Sequence, residues 1–397
     1  MGGYNYWGGR DDIARVLTNL GHETRVAVVG PVASNWDRAC ELYAYIKGGR
    51  VDYGAAHAQR YGHQRFGRTF PGLYPDWGQT GAHARVHLVG HSQGGQTIRV
   101  LAWLLSNGDP SEQLAAPVGG LHPLFKGGQP ELVRSVTTLA SPHDGTTLAT
   151  VLNRGAGYLL NWLLALAGHL SRDQGPAPPY DFKLDQWQLA RNAGEADEDY
   201  RQRLADADVW DQPDISIHDL RPEGAMKLNG QYPAVDSIYY FSWAAQDNRP
   251  GPRGKGYQPA IGMNLALIST SLAISTYENR EPTPGLPAFA EAWWPNDGVV
   301  NTVSMSGPKL GSRDRIINLA PDQDYPPFMP GIWHFLGVKE GWDHLDIVGQ
   351  QTRLDYRTFY LDMARLLAAL PAETTEFEKT THAAGAAREE PGIGLSY

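Results

Sequence analysis

The stretch Val86-His87-Leu88-Val89-Gly90-His91-Ser92-Gln93-Gly94-Gly95 decides the fold. Val86, Leu88 and Val89 form a short apolar run that reads as a buried strand. It breaks at Gly90, and a helical pattern follows with Ile98, Leu101, Leu104 and Leu105 on one face. Between them, Gly90-His91-Ser92-Gln93-Gly94 matches G-x-S-x-G, a sharp strand-to-helix turn that exposes a serine Oγ. Glycine is expected at both flanking positions, because a Cβ there would collide with neighbouring backbone. The helix behind the turn points its positive end at the place where negative charge develops in acyl transfer. A plain glycine-rich turn with a spare serine would need neither the strand before nor the helix after. Ser92 is the candidate nucleophile.

With 397 residues the chain can bury a large core, as one oversized domain or a domain with a substantial insertion. Charged residues make up 19% and hydrophobic ones 42%, with 12 Trp and 19 Tyr, a globular rather than a disordered composition. The 34 basic and 43 acidic residues give a formal charge of −9, and no basic cluster offsets it. That argues against nucleic-acid binding. The single cysteine, Cys40, excludes an internal disulfide framework. No stretch reaches the ~18 apolar residues of a membrane span. Met1-Gly2-Gly3-Tyr4-Asn5 forms neither a charged nor an apolar signal-peptide region.

Working outward, Ile13, Val16, Leu17 and Leu20 share a helical face, with Asp11 and Asp12 suited to its start and Gly21 to its exit. Thr24 to Val29 reads as a strand. From Gly30 to Trp77 the chain is loop-rich and aromatic, more like an insertion than another strand–helix unit. Val133 to Leu139, Ile238 to Trp243 and Arg315 to Asn318 read as further strands. Leu184 to Leu204 reads as mixed helix, and Tyr356 to Leu370 as the closing one. Strands alternating with helices imply a mostly parallel sheet covered on both faces.

A serine nucleophile needs a base, and the base needs an orienting acid. In α/β-hydrolases the order is Ser, then Asp or Glu, then His, each in a loop after a later strand. Asp297, in Pro295-Asn296-Asp297-Gly298, and His344, in Trp342-Asp343-His344-Leu345, occupy suitable places. His334, after Gly331-Ile332-Trp333 in a proline-rich loop, competes as base, and Asp144 competes as acid. The backbone N–H of Gln93 would supply one oxyanion donor.

Several longer stretches carry a resemblance. They include Ser34-Asn35-Trp36-Asp37-Arg38-Ala39-Cys40, Val51-Asp52-Tyr53-Gly54-Ala55-Ala56-His57 and Arg65-Phe66-Gly67-Arg68-Thr69. Further on come His91-Ser92-Gln93-Gly94-Gly95-Gln96-Thr97, Pro142-His143-Asp144-Gly145-Thr146-Thr147, Asp181-Phe182-Lys183-Leu184-Asp185-Gln186-Trp187 and Asn296-Asp297-Gly298-Val299-Val300-Asn301-Thr302-Val303. From Tyr6 to about Leu370 the chain resembles the thermoalkalophilic bacterial lipases, triacylglycerol lipases with a zinc subdomain inserted in an α/β-hydrolase core. The resemblance implies Ser92, Asp297 and His344 as the triad and makes Asp144 a structural loop residue.

It also implies metals. Two histidines and two carboxylates, His57, His63, Asp37 and Asp214, match the family's structural zinc ligands, and four protein ligands leave no open position for water. For the family's calcium, Gly262 and Asp346 match, although the usual acid at the second position is glutamate. Gln351 stands where a later aspartate is expected, and losing that charge weakens a hard-cation site. The resemblance divides the chain into a hydrolase domain over 1–371 and a flexible tail over 372–397. Within the domain it places the zinc subdomain at about 31–77 plus 208–220 and a lid region at about 148–205. The apolar segment Leu148 to Leu170 would be the lid helix; the alternative is an ordinary core helix.

The implied function is hydrolysis of triacylglycerols at an oil–water interface, and the implied location extracellular, although no signal peptide is visible. A short-chain carboxylesterase and an inactive zinc-stabilised lipid-binding module are the competing readings. In the resembling lipases an apolar strand and a His-Gly-Phe segment precede the stretch matching Tyr6-Trp7-Gly8-Gly9; here only a few residues do. That strand would lie between Thr24–Val29 and Val86–Val89. The expectation is a misplaced or truncated start, a lost second oxyanion donor and weak activity or poor folding.

Overall fold

The computed structural model describes residues 5–79, 85–116, 120–152, 181–252, 255–279, 283–319, 327–350 and 352–371. Much of the apolar segment Leu148 to Leu170, Gln351 and the tail 372–397 lie outside the described residues.

Helix α1 (Ile13–Asn19) starts at Asp12, whose side chain accepts from the Arg15 N–H. Helix α2 (Asn35–Lys47) is capped in the same way by Ser34, which accepts from the Asp37 N–H, and it exits through Gly48 at φ 88°. Strands β1 (Gly49–Asp52) and β2 (Phe66–Phe70) form an antiparallel pair, with helix α3 (Ala55–Tyr61) between them in sequence. Strand β3 (Val86–His91) and helix α4 (Gln93–Asn107) flank Ser92. Strands β4 (Val133–Leu139), β5 (Tyr239–Gln246), β6 (Asn248–Pro250), β7 (Tyr257–Pro259), β8 (Ile316–Asn318) and β9 (Trp333–Glu340) follow, and the helix Tyr356–Ala368 closes the described chain.

The main sheet runs β3-β4-β5-β9-β8, and every pairing in it is parallel. Parallel strands need crossover connections, which places helices on both faces and buries both sides of each inner strand. β5 shows the result: Tyr240 enters the core shared with α2 and α4, while Tyr239, Phe241, Trp243 and Ala245 enter the core shared with α1 and the closing helix. A third cluster gathers Val32, Phe182, Leu184, Tyr200, Trp210 and Ile215, joining chain segments far apart in sequence.

Four elements differ from the sequence reading. Residues 24–29 form no strand; Ala27 and Val29 pack on the core, and no described strand pairs with them. A β-strand exists through its ladder, and the alternating pattern alone cannot supply a partner. β3 is correspondingly the last strand on its side among the described residues. Within the loop-rich insertion, α2 is a long helix buried on most of its surface. β9 carries His334 within a strand, not a proline-rich loop. Residues 184–204, read as mixed helix, give only a short 3-10 turn, Asp185–Trp187, and a helix, Asp197–Ala205, with irregular chain between them.

Candidate active site

Ser92 has φ 55° and ψ −132°, a conformation that costs a non-glycine residue roughly 1–3 kcal/mol. Its N–H donates to the Leu139 carbonyl at 3.0 Å, which ties the turn to the end of β4. A Cβ on Gly90 would sit 2.5 Å from the Gly94 carbonyl, so that glycine is obligatory. The expectation for Gly94 fails: a Cβ there meets open space. The second crowded glycine is Gly95, where a Cβ would lie 2.0 Å from Ser141 Oγ. Gln93 opens α4, and its side chain donates to the Ala33 carbonyl at 3.2 Å.

Asp297 and His344 come together from two loops. His344 Nδ1 lies 2.6 Å from Asp297 Oδ2, and the His344 N–H donates to the Asp297 carbonyl at 2.8 Å. Asp297 is fully buried, and its Oδ1 accepts from the N–H groups of Val299 and Val300 at 2.9 and 2.8 Å. One carboxylate oxygen is thus fixed by backbone while the other faces the imidazole. A carboxylate only accepts, so Nδ1 carries the proton and Nε2 is left as the basic nitrogen.

His91 was not recognised from the sequence, where it was only the variable residue before the serine. Its ring lies 4.4 Å from that of His344, tilted by 46°, and Tyr6 Oη is 2.6 Å from His91 Nδ1. Burial, with the His344 imidazole beside it, holds the His91 imidazole well below the ordinary histidine value. The Tyr6 segment is tied to the histidine loop by Gln350, whose Nε2 donates to the carbonyls of Asn5 and Tyr6.

The competitors are engaged elsewhere. Both ring nitrogens of His334 have partners, the Tyr240 carbonyl at 3.2 Å and the Met329 N–H at 3.3 Å. Asp144 Oδ1 accepts from the N–H groups of Lys309 and Leu310 at 2.7 and 2.8 Å and from Asn229 at 3.2 Å.

A second constellation brings Asp37, His57, His63 and Asp214 within metal-binding reach, their ligand atoms all within 4.8 Å of one another. His57 Nε2 lies 3.0 Å from Asp214 Oδ2 and 3.3 Å from Asp37 Oδ1, and His63 Nε2 lies 3.2 Å from Asp214 Oδ2. Asp37 Oδ1 and His63 Nε2 are buried and have no polar neighbour outside the cluster, an arrangement that fits atoms facing a metal. Outer partners aim the ligands: Gln186 donates to Asp37 Oδ2 at 2.7 Å, and His63 Nδ1 sits 2.9 Å from the Gln64 carbonyl. Trp36 stacks on His57 at 4.9 Å and on Phe125 at 5.5 Å. Burial disfavours charge on His57, but Asp214 and Asp37 outweigh it and raise the imidazole to about 9.

A third group joins Asp247, Asp343 and Asp346. Burial and the charges of Asp343, Asp346 and Asp297 push Asp247 up to about 7; burial and Asp343 push Asp346 up to about 6. The loop carrying Gly262 is pinned beside the group on both sides. Ala260 N–H donates to the Asp247 carbonyl at 2.9 Å, and Asn264 N–H to Asp343 Oδ2 at 2.7 Å. The sequence reading had only Asp346 and Gly262 of this group; Asp247 lies too far away in sequence for spacing to reveal it.

Among the described residues, no helix is long and apolar enough to cross a membrane. A family model described as lipase-like, C-terminal domain, matches residues 3–384. The lipase of Staphylococcus hyicus is 35% identical over 384 residues, covering 94% of this chain and 56% of the relative. Lipase 2 of Staphylococcus aureus is 35% identical over 381 residues, covering 95% of this chain and 51% of the relative. The chain therefore spans about half the length of these curated relatives. EstA from Clostridium botulinum superposes with a TM-score of 0.85 at 40% identity, covering 94% of this chain and 84% of that one. Lipase 1 from Pelosinus fermentans gives 0.82 at 40%, with 93% and 94% covered. The parallel sheet, the strained serine turn and these matches agree: the chain has the α/β-hydrolase fold and belongs to the lipase-like C-terminal domain family.

Proposed function

We propose that the chain is a serine hydrolase that cleaves the ester bonds of triacylglycerols at a lipid–water interface. The observation carrying this reading is the Asp297–His344 pair, whose histidine touches the residue next to the strained Ser92 turn. His344 Nε2 takes the Ser92 Oγ proton as Oγ attacks the ester carbonyl carbon. Asp297 holds the useful tautomer and stabilises the imidazolium. The Gln93 N–H, first in α4 and without an intrahelical acceptor, donates to the oxyanion. The ester C–O bond breaks, the alcohol leaves with the proton from His344, and an acyl-Ser92 remains. Water then gives a proton to His344 and attacks the acyl carbon, releasing the acid and restoring Ser92.

Asp37, His57, His63 and Asp214 suit zinc, whose nitrogen and oxygen ligands they provide. With four protein ligands an ion held there would be structural, and these residues would tie the 31–77 and 208–220 segments of an inserted subdomain together. Asp247, Asp343 and Asp346, with the Gly262 carbonyl, suit calcium, which prefers oxygen donors and would offset their mutual repulsion. In this reading the protein acts outside the cell.

The test is covalent labelling by an organophosphate, followed by a chain-length profile. Labelling at Ser92 with preference for long-chain droplets is expected. Labelling with turnover only of short soluble esters would make the chain a carboxylesterase. No labelling at Ser92 would overturn the hydrolase reading.

A further inference from the structure

The segment between Lys255 and Glu278 contains no charged residue, in a chain that is 19% charged. Its loop alternates: Met263 and Leu267 are buried at 3% and 0% exposure, while Ile261 and Leu265 stand out at 91% and 81%. One turn into the helix Ile268–Ser275, Leu272 is exposed as well. The inward side chains join the core cluster that contains Val299, Val300 and Leu345, the neighbours of Asp297 and His344. Leu267 lies directly under Gly298, where a Cβ would meet it at 2.8 Å. The Asn264 N–H is bonded to Asp343, the residue before His344. The projecting side chains are therefore fixed to both loops that carry the acid–base pair.

We infer that this loop is a rigid lipid-contacting rim, in which Ile261 and Leu265 insert into the lipid surface that carries the substrate. The inference rests on the lipase reading for its substrate and on exposure and attachment for its place. A lipid surface fits better than a protein partner. The two side chains project singly from a charge-free ribbon, which offers apolar contact and no ion-pairing group to select a protein partner. Anionic headgroups are also unnecessary, because the ribbon offers no cation to meet them. Apolar insertion should dominate, and binding should respond little to salt.

The experiment measures partition of the full chain onto vesicles of ether-linked phosphatidylcholine, which ester hydrolysis cannot consume. Ile261→Ser with Leu265→Ser should lower partition roughly tenfold or more, since each apolar side chain is worth at least ~1.4 kcal/mol on burial. Turnover of a soluble butyrate ester should stay unchanged, and Leu114→Ser, at an equally exposed leucine beside α3, should leave partition intact. Raised salt or added phosphatidylglycerol should change little. Unchanged partition in the double variant overturns the inference. So does a wild-type dimer in sedimentation that the double variant dissociates, because a second copy would then occupy the rim. If the chain bound vesicles through Ile261 and Leu265 yet cleaved no ester, the rim would stand and the hydrolase reading would fall.

Discussion

Asp297 and His344 are joined twice, by side chains at 2.6 Å and by the His344 N–H on the Asp297 carbonyl at 2.8 Å. The backbone bond holds the two loops at the separation the side-chain pair needs. Ser92→Ala, His344→Ala and Asp297→Ala are each expected to lower ester turnover by roughly 1000-fold or more. The combined variants should lose little beyond the worst single one if the three residues act as the proposed triad. Turnover of a chromogenic ester checks this. Asp144→Ala should act on melting temperature instead, since its carboxylate fastens the Lys309–Leu310 backbone.

The glycines of the turn make a paired prediction. Gly90→Ala drives a Cβ into the Gly94 carbonyl and is expected to cost roughly 1–3 kcal/mol. Gly94→Ala meets no atom and sits in the first turn of α4, so denaturant midpoints should show little loss or a gain of up to about 1 kcal/mol.

Elemental analysis should find about one zinc per chain, bound at the four-residue cluster. Asp37→Ala or His57→Ala should remove it and lower the melting temperature. Zinc at 1000 times its Kd adds about 4 kcal/mol to the native state. Full zinc content in both variants would refute the ligand assignment.

Calcium should raise the melting temperature of the wild-type chain, and Asp247→Asn should abolish that shift while leaving zinc content unchanged. A calcium response that survives in Asp247→Asn would place the ion elsewhere.

Glu41 gives a pH dependence with a definite sign. Burial pushes its carboxyl up to about 7, despite the Gly30 N–H bonded to it at 2.6 Å. The folded state thus holds this proton more tightly than the unfolded state, and stability falls as pH rises from about 4.5 to about 7. The full effect is on the order of 3 kcal/mol. Glu41→Gln should melt higher than wild type above neutrality and converge with it near pH 4.5, as read by melting curves across that range.

The serine turn, β4 and the capped α1 were legible because periodicity, glycine and capping chemistry all act over a few residues. α2 was hidden because it is buried nearly all round and carries Arg38 and Glu41 inside, which erases the amphipathic stripe. β9 was masked by Gly337 and by the charged end Lys339-Glu340. Residues 24–29 have a strand's pattern without its partner. Asp297 and His344 could be proposed from order along the chain, whereas His91 and Asp247 acquire meaning only through neighbours that folding brings.

Trp36 has one further consequence. Its indole lies nearly parallel to both His57 and Phe125, at interplanar angles of 10° and 8°. Phe125 belongs to the same core as α4 and β4. Opening the histidine cluster strips one face of the indole and loosens its seat on Phe125. The cluster and the sheet are thereby coupled into one cooperative unfolding unit, so amide exchange in α4 should quicken when a chelator is added or His57 is replaced by alanine.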